Sequence, residues 1–397
     1  MLPVKISPAI HWVGLNDRIT PIFEGTWPLQ PAGVSYNAYL IKDEKNVLID
    51  PGPAFAGGEI IARINTILPV TELDYIVVNH IEPDHAGAIA TMLQAAPKAV
   101  LVGNAKTFDM LKNYLPLDGR TLTVKNDETL SLGKHTLQFI VIPFLHWPET
   151  MMTYETSERI IFSCDNYGGY GALKGTLFAD ETPDRWLYIS EALRYFVTVM
   201  VPFSKPLLKA VDKMNEIRPV IVAPSHGLVW RDGVDSIVAQ YGRWAQYAAG
   251  KGEPGITILY ASMYGNTTRM VDAMASGILK TGLPFEIFDC QQTDVSYILP
   301  ALLKYQGVLI GSATFEGALM PQVSAVLDMA VRKKILQRQA AVFGGYSWGG
   351  LNRDRLDKVK ESLGWQFSEP FSWMGACTLD DLACADQYAQ DFAKSLV

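Results

Sequence analysis

Four histidines and three carboxylates recur in this sequence in a pattern that suits a pair of metal ions. His80, Glu82, Asp84 and His85 fall within Asn79-His80-Ile81-Glu82-Pro83-Asp84-His85, and His146, Asp165 and His226 follow at long intervals. Imidazole and carboxylate together suit first-row transition metals, whereas thiolates would point to structural zinc or iron–sulfur clusters and an all-oxygen set to magnesium or calcium. A solitary histidine beyond a strand is more often a solvated or hydrogen-bonded side chain than a ligand. Here four of the six histidines join one pattern; the other two, His11 and His135, have no acidic or histidine neighbours in sequence and read as structural.

Positioning such a set requires rigid elements with loops at one end. Leu73 to Asn79 reads as a buried strand and Ala86 to Leu93 as the helix after it, which puts the four clustered residues in a strand-to-helix loop. Apolar runs also precede the rest: Phe139 to Pro143 before His146, Ile160 to Cys164 before Asp165, and Val220 to Pro224 before His226. All seven are thus expected just past strand ends, where a sheet holds loops in place. Cys164 reads as a small buried strand residue and Asp50, in Val47-Leu48-Ile49-Asp50-Pro51-Gly52, as a turn or supporting residue.

This spacing resembles the metallo-β-lactamase superfamily, and Asn37-Ala38-Tyr39-Leu40-Ile41 adds an early strand familiar from it. Hydrolases of that superfamily usually carry histidine at the second motif position and zinc as the metal. Glu82 stands there instead, which is the mark of the flavodiiron proteins, and the resemblance to them extends over nearly the whole chain. It implies one iron on His80, Glu82 and His146, a second on Asp84, His85 and His226, and Asp165 between them. Trading an imidazole for a carboxylate makes the site harder and more anionic, favouring ferric iron. A zinc hydrolase carrying a flavodoxin-like appendage is the alternative.

A linker around Ala249 to Gly255 separates a second region, so the expected domains are 1–250 and 254–397. The apolar strand from Ile256 to Ala261 leads into Ser262, Met263, Tyr264, Gly265, Asn266 and Thr267 and then a helical pattern from Met270 to Leu279. Orphan N–H groups and the positive dipole end at such a helix start form an anion site for one phosphate. The loop has neither the glycine fingerprint of a dinucleotide site nor a Walker lysine. It resembles the flavodoxin phosphate loop, which implies FMN. Two further strands feed loops: Ser312, Ala313, Thr314, Phe315, Glu316 and Gly317, then Gly345, Tyr346, Ser347, Trp348 and Gly349. Both leave carboxyl ends of strands, where open α/β sheets bind ligands. The aromatics suit a flavin edge and the glycines a close backbone approach. Glu316 and Ser347 depart from the usual family residues, and an ionised Glu316 near the flavin would lower its potential.

The fold class expected is α/β: an N-terminal metallo-β-lactamase-like αββα sandwich, then a flavodoxin-like doubly wound parallel sheet. The 397 residues suit two or three domains, with 49% apolar residues for their cores. No apolar run is long enough for a membrane span and the first residues do not read as a signal peptide, so a cytoplasmic protein is expected. Four scattered cysteines form no Cys-x-x-Cys pair, which argues against an internal rubredoxin centre. The net charge of −7 argues against nucleic-acid and anionic-membrane partners; Arg332-Lys333-Lys334 reads as solvated surface. The resemblance implies a terminal reductase that passes electrons through FMN to two non-haem irons, reducing O2 to water, NO to N2O, or both. It also implies an external donor such as rubredoxin or a reduced F420-type carrier, and a head-to-tail homodimer or a dimer of such dimers. Choice between O2 and NO is expected to depend on residues near the metals such as Phe144, Trp147 and Tyr195.

Overall fold

A computed structural model describes residues 2–117, 119–351 and 354–397. The chain divides into two compact units, Met1–Phe196 with Lys205–Gly242 and Val197–Ser204 with Arg243–Val397.

Two sheets organise the first unit. One runs Val4–Lys5, Ile10–Trp12, Tyr39–Ile41, Asn46–Ile49, Leu73–Val77, Val100–Asn104 and Thr121–Val124 in spatial order. Its central strands are continuous apolar runs because they are covered on both faces: Val47, Leu48, Ile49, Ile76, Val77 and Val102 are inaccessible to solvent. The other sheet runs Thr129–Ser131, Thr136–Val141, Met151–Glu155, Ile160–Phe162 and Ile221–Ala223. Its first three pairings are antiparallel and the last is parallel, with Ile160 opposite Ile221 and Phe162 opposite Ala223. That parallel pair places Asp165 and His226 beyond the same end of two neighbouring strands.

The second unit is a parallel sheet ordered Phe285–Asp289, Glu253–Ala261, Tyr305–Ser312 and Gln339–Tyr346, with Gln366–Phe367 and Phe371–Met374 both pairing to the last. The first strand in sequence lies second in space, the doubly wound order whose switch point opens a ligand crevice at the carboxyl ends. The helix Asn266–Leu279 buries Met270, Val271, Met274 and Ile278 against Ile256, Ile258 and Leu309 of the sheet. Arg338, 1% exposed, donates to the carbonyls of Leu302, Leu303, Leu336 and Tyr247, satisfying the end of helix Val295–Lys304. No helix among the described residues is long and apolar enough to cross a membrane.

The expected helix from Ala86 begins earlier. Pro83–Ala86 forms a short helix with Pro83 at its start, and a second helix, Ile89–Ala95, follows. Proline is tolerated there because its missing N–H would have no partner anyway. Asp84 and His85 therefore stand on a helical turn instead of in a loop.

Candidate metal centre and cofactor cleft

Leu73–Val77 delivers Asn79 and His80 to the edge of the first unit's core, and a buried acid fixes their exit. Asp50 accepts the Asn79 backbone N–H at 2.8 Å and its side-chain amide at 3.0 Å. Glu82 then opens the helical turn that carries Asp84 and His85. His146 follows Thr136–Val141, Asp165 follows Ile160–Phe162 and His226 follows Ile221–Ala223.

These seven side chains converge. His80 Nε2 and His146 Nε2 each lie 3.1 Å from Glu82 Oε2. His226 Nε2 lies 3.2 Å from Asp84 Oδ2, and His85 Nε2 lies 3.6 Å from Asp84 Oδ1. Asp165 faces both groups with different atoms. Its Oδ1 is 3.0 Å from His85 Nε2 and 3.4 Å from His226 Nε2. Its Oδ2 is 3.4 Å from His146 Nε2 and 3.8 Å from His80 Nε2. Ligands ~2.1 Å from a common ion stand ~3.0–3.4 Å apart for right-angle to tetrahedral geometry, so the spacing fits two ions sharing one carboxylate. Both Asp84 oxygens, Asp165 Oδ1 and His226 Nε2 are buried and make no well-directed hydrogen bond. Lone pairs that crowd together without bonding one another are the expected arrangement around a cation.

Electrostatics agree. Burial disfavours charge on the imidazoles, yet Asp165 and Glu82 push His146 up to about 10 and Asp165 and Asp84 push His226 up to about 9. His85 is raised well above its ordinary value by Asp165 and Asp84 despite burial. Conversely, burial raises Glu82, but His146 and His80 bring it down to about 2, and the imidazoles hold Asp165 far below the carboxylate range. A metal ion would take the place of the protons these imidazoles otherwise keep. Burial and the charge of Asp165 push the Cys164 thiol well up, so it stays neutral, 4.0 Å from His85 Nδ1.

Outer contacts complete the centre, and sequence reasoning missed the main ones. His80 Nδ1 lies 2.6 Å from Oε1 of the fully buried Glu149. His226 Nδ1 lies 2.8 Å from the Ser35 carbonyl. Glu149 is three residues beyond His146, and an acid in that position was the available signal; a backbone carbonyl leaves none. Aromatic rings wall the site: Phe23, Tyr36 and Tyr195 lie 5.6–5.7 Å from the His226 ring and Trp147 lies 5.2 Å from that of His80. Phe144 is 56% exposed and makes no such ring contact among the described residues. His135 is not bare after folding. Its Nδ1 is 2.8 Å from Asp43 and its Nε2 3.1 Å from Glu158, ties between distant segments.

In the second unit a cavity of about 1220 Å³ opens at the carboxyl ends of the strands. Every residue expected at the cofactor lines it except Gly265 and Ser312. Ser312 is buried and its hydroxyl is occupied by the Ala313 carbonyl and the Met320 N–H. Gly265 is the N-cap of Asn266–Leu279, in left-handed backbone at φ 89, and no side chain caps the helix. The first N–H groups of that helix are thereby left for an anion. Thr314–Phe315 and Ala318–Leu319 form a hairpin, not an open loop, turning through Glu316 and Gly317, both at positive φ. Gly344 passes the neighbouring strand so closely that a Cβ would sit 2.0 Å from the Ser312 carbonyl oxygen. The wall from Phe367 to Pro370 and Trp373 also lines the cavity and was not foreseen. The cleft fits a flat aromatic ring system with a phosphate tail.

Comparisons with known proteins agree with both halves. Residues 34–227 match the family described as ODP family beta lactamase, and residues 258–393 match Flavodoxin. The chain is 35% identical over 368 residues to a nitric oxide reductase of Moorella thermoacetica, covering 91% of each. Its fold superposes on rubredoxin oxygen:oxidoreductase from Desulfovibrio gigas with a TM-score of 0.91 at 27% identity, covering 99% of this chain and 98% of that one. The flavodiiron protein of Giardia intestinalis gives 0.92 at 26% identity, covering 99% and 96%. Likeness of this extent across both units, together with the Moorella relative, establishes that the chain belongs to the flavodiiron proteins.

Proposed function

We propose that the protein is a flavodiiron oxidoreductase that takes electrons from an external donor and reduces NO to N2O, O2 to water, or both. The observation that carries this reading is Asp165, whose two oxygens face two separate groups of imidazole and carboxylate ligands. His80, Glu82 and His146 would hold one iron and Asp84, His85 and His226 the other. The residues from Ser262 to Thr267, Ala313 to Gly317 and Gly345 to Gly349 would hold FMN, with its phosphate at the start of Asn266–Leu279. The division of labour would be 1–250 for the irons and 254–397 for FMN.

When bound, FMN relays electrons singly or in pairs and two adjacent irons pass them to a small diatomic molecule. The chain's own residues set the conditions. His226 Nδ1 donates to Ser35 O, which fixes the tautomer and turns Nε2 toward the metal position. His80, Glu82 and His146, and likewise Asp84, His85 and His226, would each hold an iron together with Asp165, a donor number that would leave room for substrate. Phe23, Tyr36, Tyr195 and Trp147 shield the His226 and His80 rings, while Glu82 and Asp84 stay partly open to solvent, so the electrostatics are strengthened on the imidazole side. Glu82 and the attached flavin cleft distinguish this protein from a zinc hydrolase of the same fold.

The 35% identity to a nitric oxide reductase supports NO as a substrate. Rubredoxin, or a reduced F420-type carrier, would supply electrons, and a head-to-tail homodimer would bring the FMN of one subunit to the metals of another. A cytoplasmic location is part of the same proposal. The test is consumption of NO and of O2 in separate assays, with reduced rubredoxin and protein of known iron and FMN content. Loss of either gas with the expected product supports the reading; loss of neither from fully loaded protein, with any reduced carrier, refutes it.

A further inference from the structure

The two halves of the metal centre differ in what holds their outer imidazole nitrogens. His80 Nδ1 donates to Glu149 Oε1 at 2.6 Å, and the same oxygen accepts the Ile81 N–H at 3.1 Å. Both side chains are inaccessible to solvent, and among the described residues Glu149 Oε2 makes no well-directed hydrogen bond. Across the centre, His226 Nδ1 donates to the neutral Ser35 carbonyl at 2.8 Å. Beside His85 Nδ1 stands the Cys164 thiol at 4.0 Å. Asp50 is also near His85, but its oxygens take the N–H groups of Asn79 at 2.8 and 3.0 Å, so no ligand hydrogen bond conveys its charge. A carboxylate hydrogen-bonded to the outer nitrogen makes an imidazole a stronger electron donor than a carbonyl does, and only the His80 side has that bond to a carboxylate.

We propose that Glu149 makes the two metal positions electronically unequal. The position of His80, Glu82 and His146 becomes the harder to reduce, and the first electron settles at the position of Asp84, His85 and His226. The inference rests on the ligand assignment proposed above. Each step transfers one electron from reduced FMN and converts one ferric ion to ferrous, first on the Asp84 side and then on the His80 side. Glu149 touches neither metal nor substrate, so it is a positioning residue that acts through His80.

The test is stepwise anaerobic reduction of iron-loaded protein followed by electron paramagnetic resonance, with iron content determined on the same samples. E149Q keeps an oxygen for His80 and Ile81 and removes only the charge. Wild-type protein is expected to pass through a dominant half-reduced state. In E149Q that state shrinks, the two potentials closing by at least the ~59 mV that a tenfold change in a one-electron equilibrium represents. E149D, which retains the charge, is expected to restore it. Wild-type protein that holds two irons yet takes both electrons in a single step overturns the proposal, as does E149Q with two irons and a wild-type separation. Should E149Q fail to hold iron, the wild-type titration decides alone. Wild-type protein that binds no iron overturns the ligand assignment instead.

Discussion

Asp165→Ala removes the side chain on which the two metal positions depend together. Its Oδ1 lies 3.0 and 3.4 Å from Nε2 of His85 and His226, and its Oδ2 lies 3.4 and 3.8 Å from Nε2 of His146 and His80. Truncation therefore takes one ligand from each position, along with a negative charge that is 1% exposed. Losing a group that merely orients a ligand costs ~10–100-fold in metal affinity. Losing the ligand itself is expected to cost at least ~100-fold at each position, or ~2.8 kcal/mol at ~1.4 kcal/mol per tenfold. The assay is iron and FMN per chain after gel filtration against a competing chelator, with NO consumption on the same fractions. The variant is expected to retain FMN, lose most of its iron and fail to turn over; FMN retention and circular dichroism control for folding. Two irons kept through the chelator step, with turnover intact, would refute the shared-carboxylate reading.

Three further outcomes follow from other parts of the structure. Thr267 is 3% exposed on the first turn of Asn266–Leu279 and lines the cleft; if its hydroxyl holds the FMN phosphate as proposed, Thr267→Val removes a hydrogen bond to a charged group worth ~1.5–3 kcal/mol, so FMN should bind roughly tenfold or more weakly in a fluorescence titration with iron unchanged. Unaltered flavin affinity would count against the phosphate-loop assignment. His135 is desolvated but held above its ordinary value by Asp43 and Glu158, so its clamp is fully present below the unfolded histidine pKa and lost as pH rises through the folded one; His135→Gln should lower the melting temperature more at about pH 6 than at about pH 9, and equal losses at both would exclude the clamp. Dilution to monomers, followed by ultracentrifugation, should leave iron and FMN bound while turnover falls, and fully active monomers would rule out electron transfer between subunits.

Local signals were legible where chemistry and chain direction coincide. That His80-x-Glu82-x-Asp84-His85 meets His146, Asp165 and His226 could be read because each segment follows a strand end. The turn from Ser262 to Thr267 could be read as part of the cleft because a strand, a hydroxyl-rich turn and a helix are contiguous. What escaped depended on contacts between distant segments. Ser35 meets His226 through its backbone carbonyl, 191 residues away, so its side chain carries no sign of the role. His135 gains Asp43 from 92 residues away, and the Phe367 to Trp373 wall joins the flavin cleft only once late strands pair with Gln339–Tyr346. The helix starting at Pro83 was missed for a different reason: its four residues are too few to show periodicity.

The most direct test of the metal centre is anomalous diffraction at the iron and zinc edges from crystals of the aerobically purified protein. Two iron peaks ~3.5–4 Å apart, one beside Asp165 Oδ1 within reach of His85 and His226 and one beside Oδ2 within reach of His80 and His146, are expected. A single peak, a zinc signal at either position, or metal bound away from Asp165 would contradict the di-iron assignment.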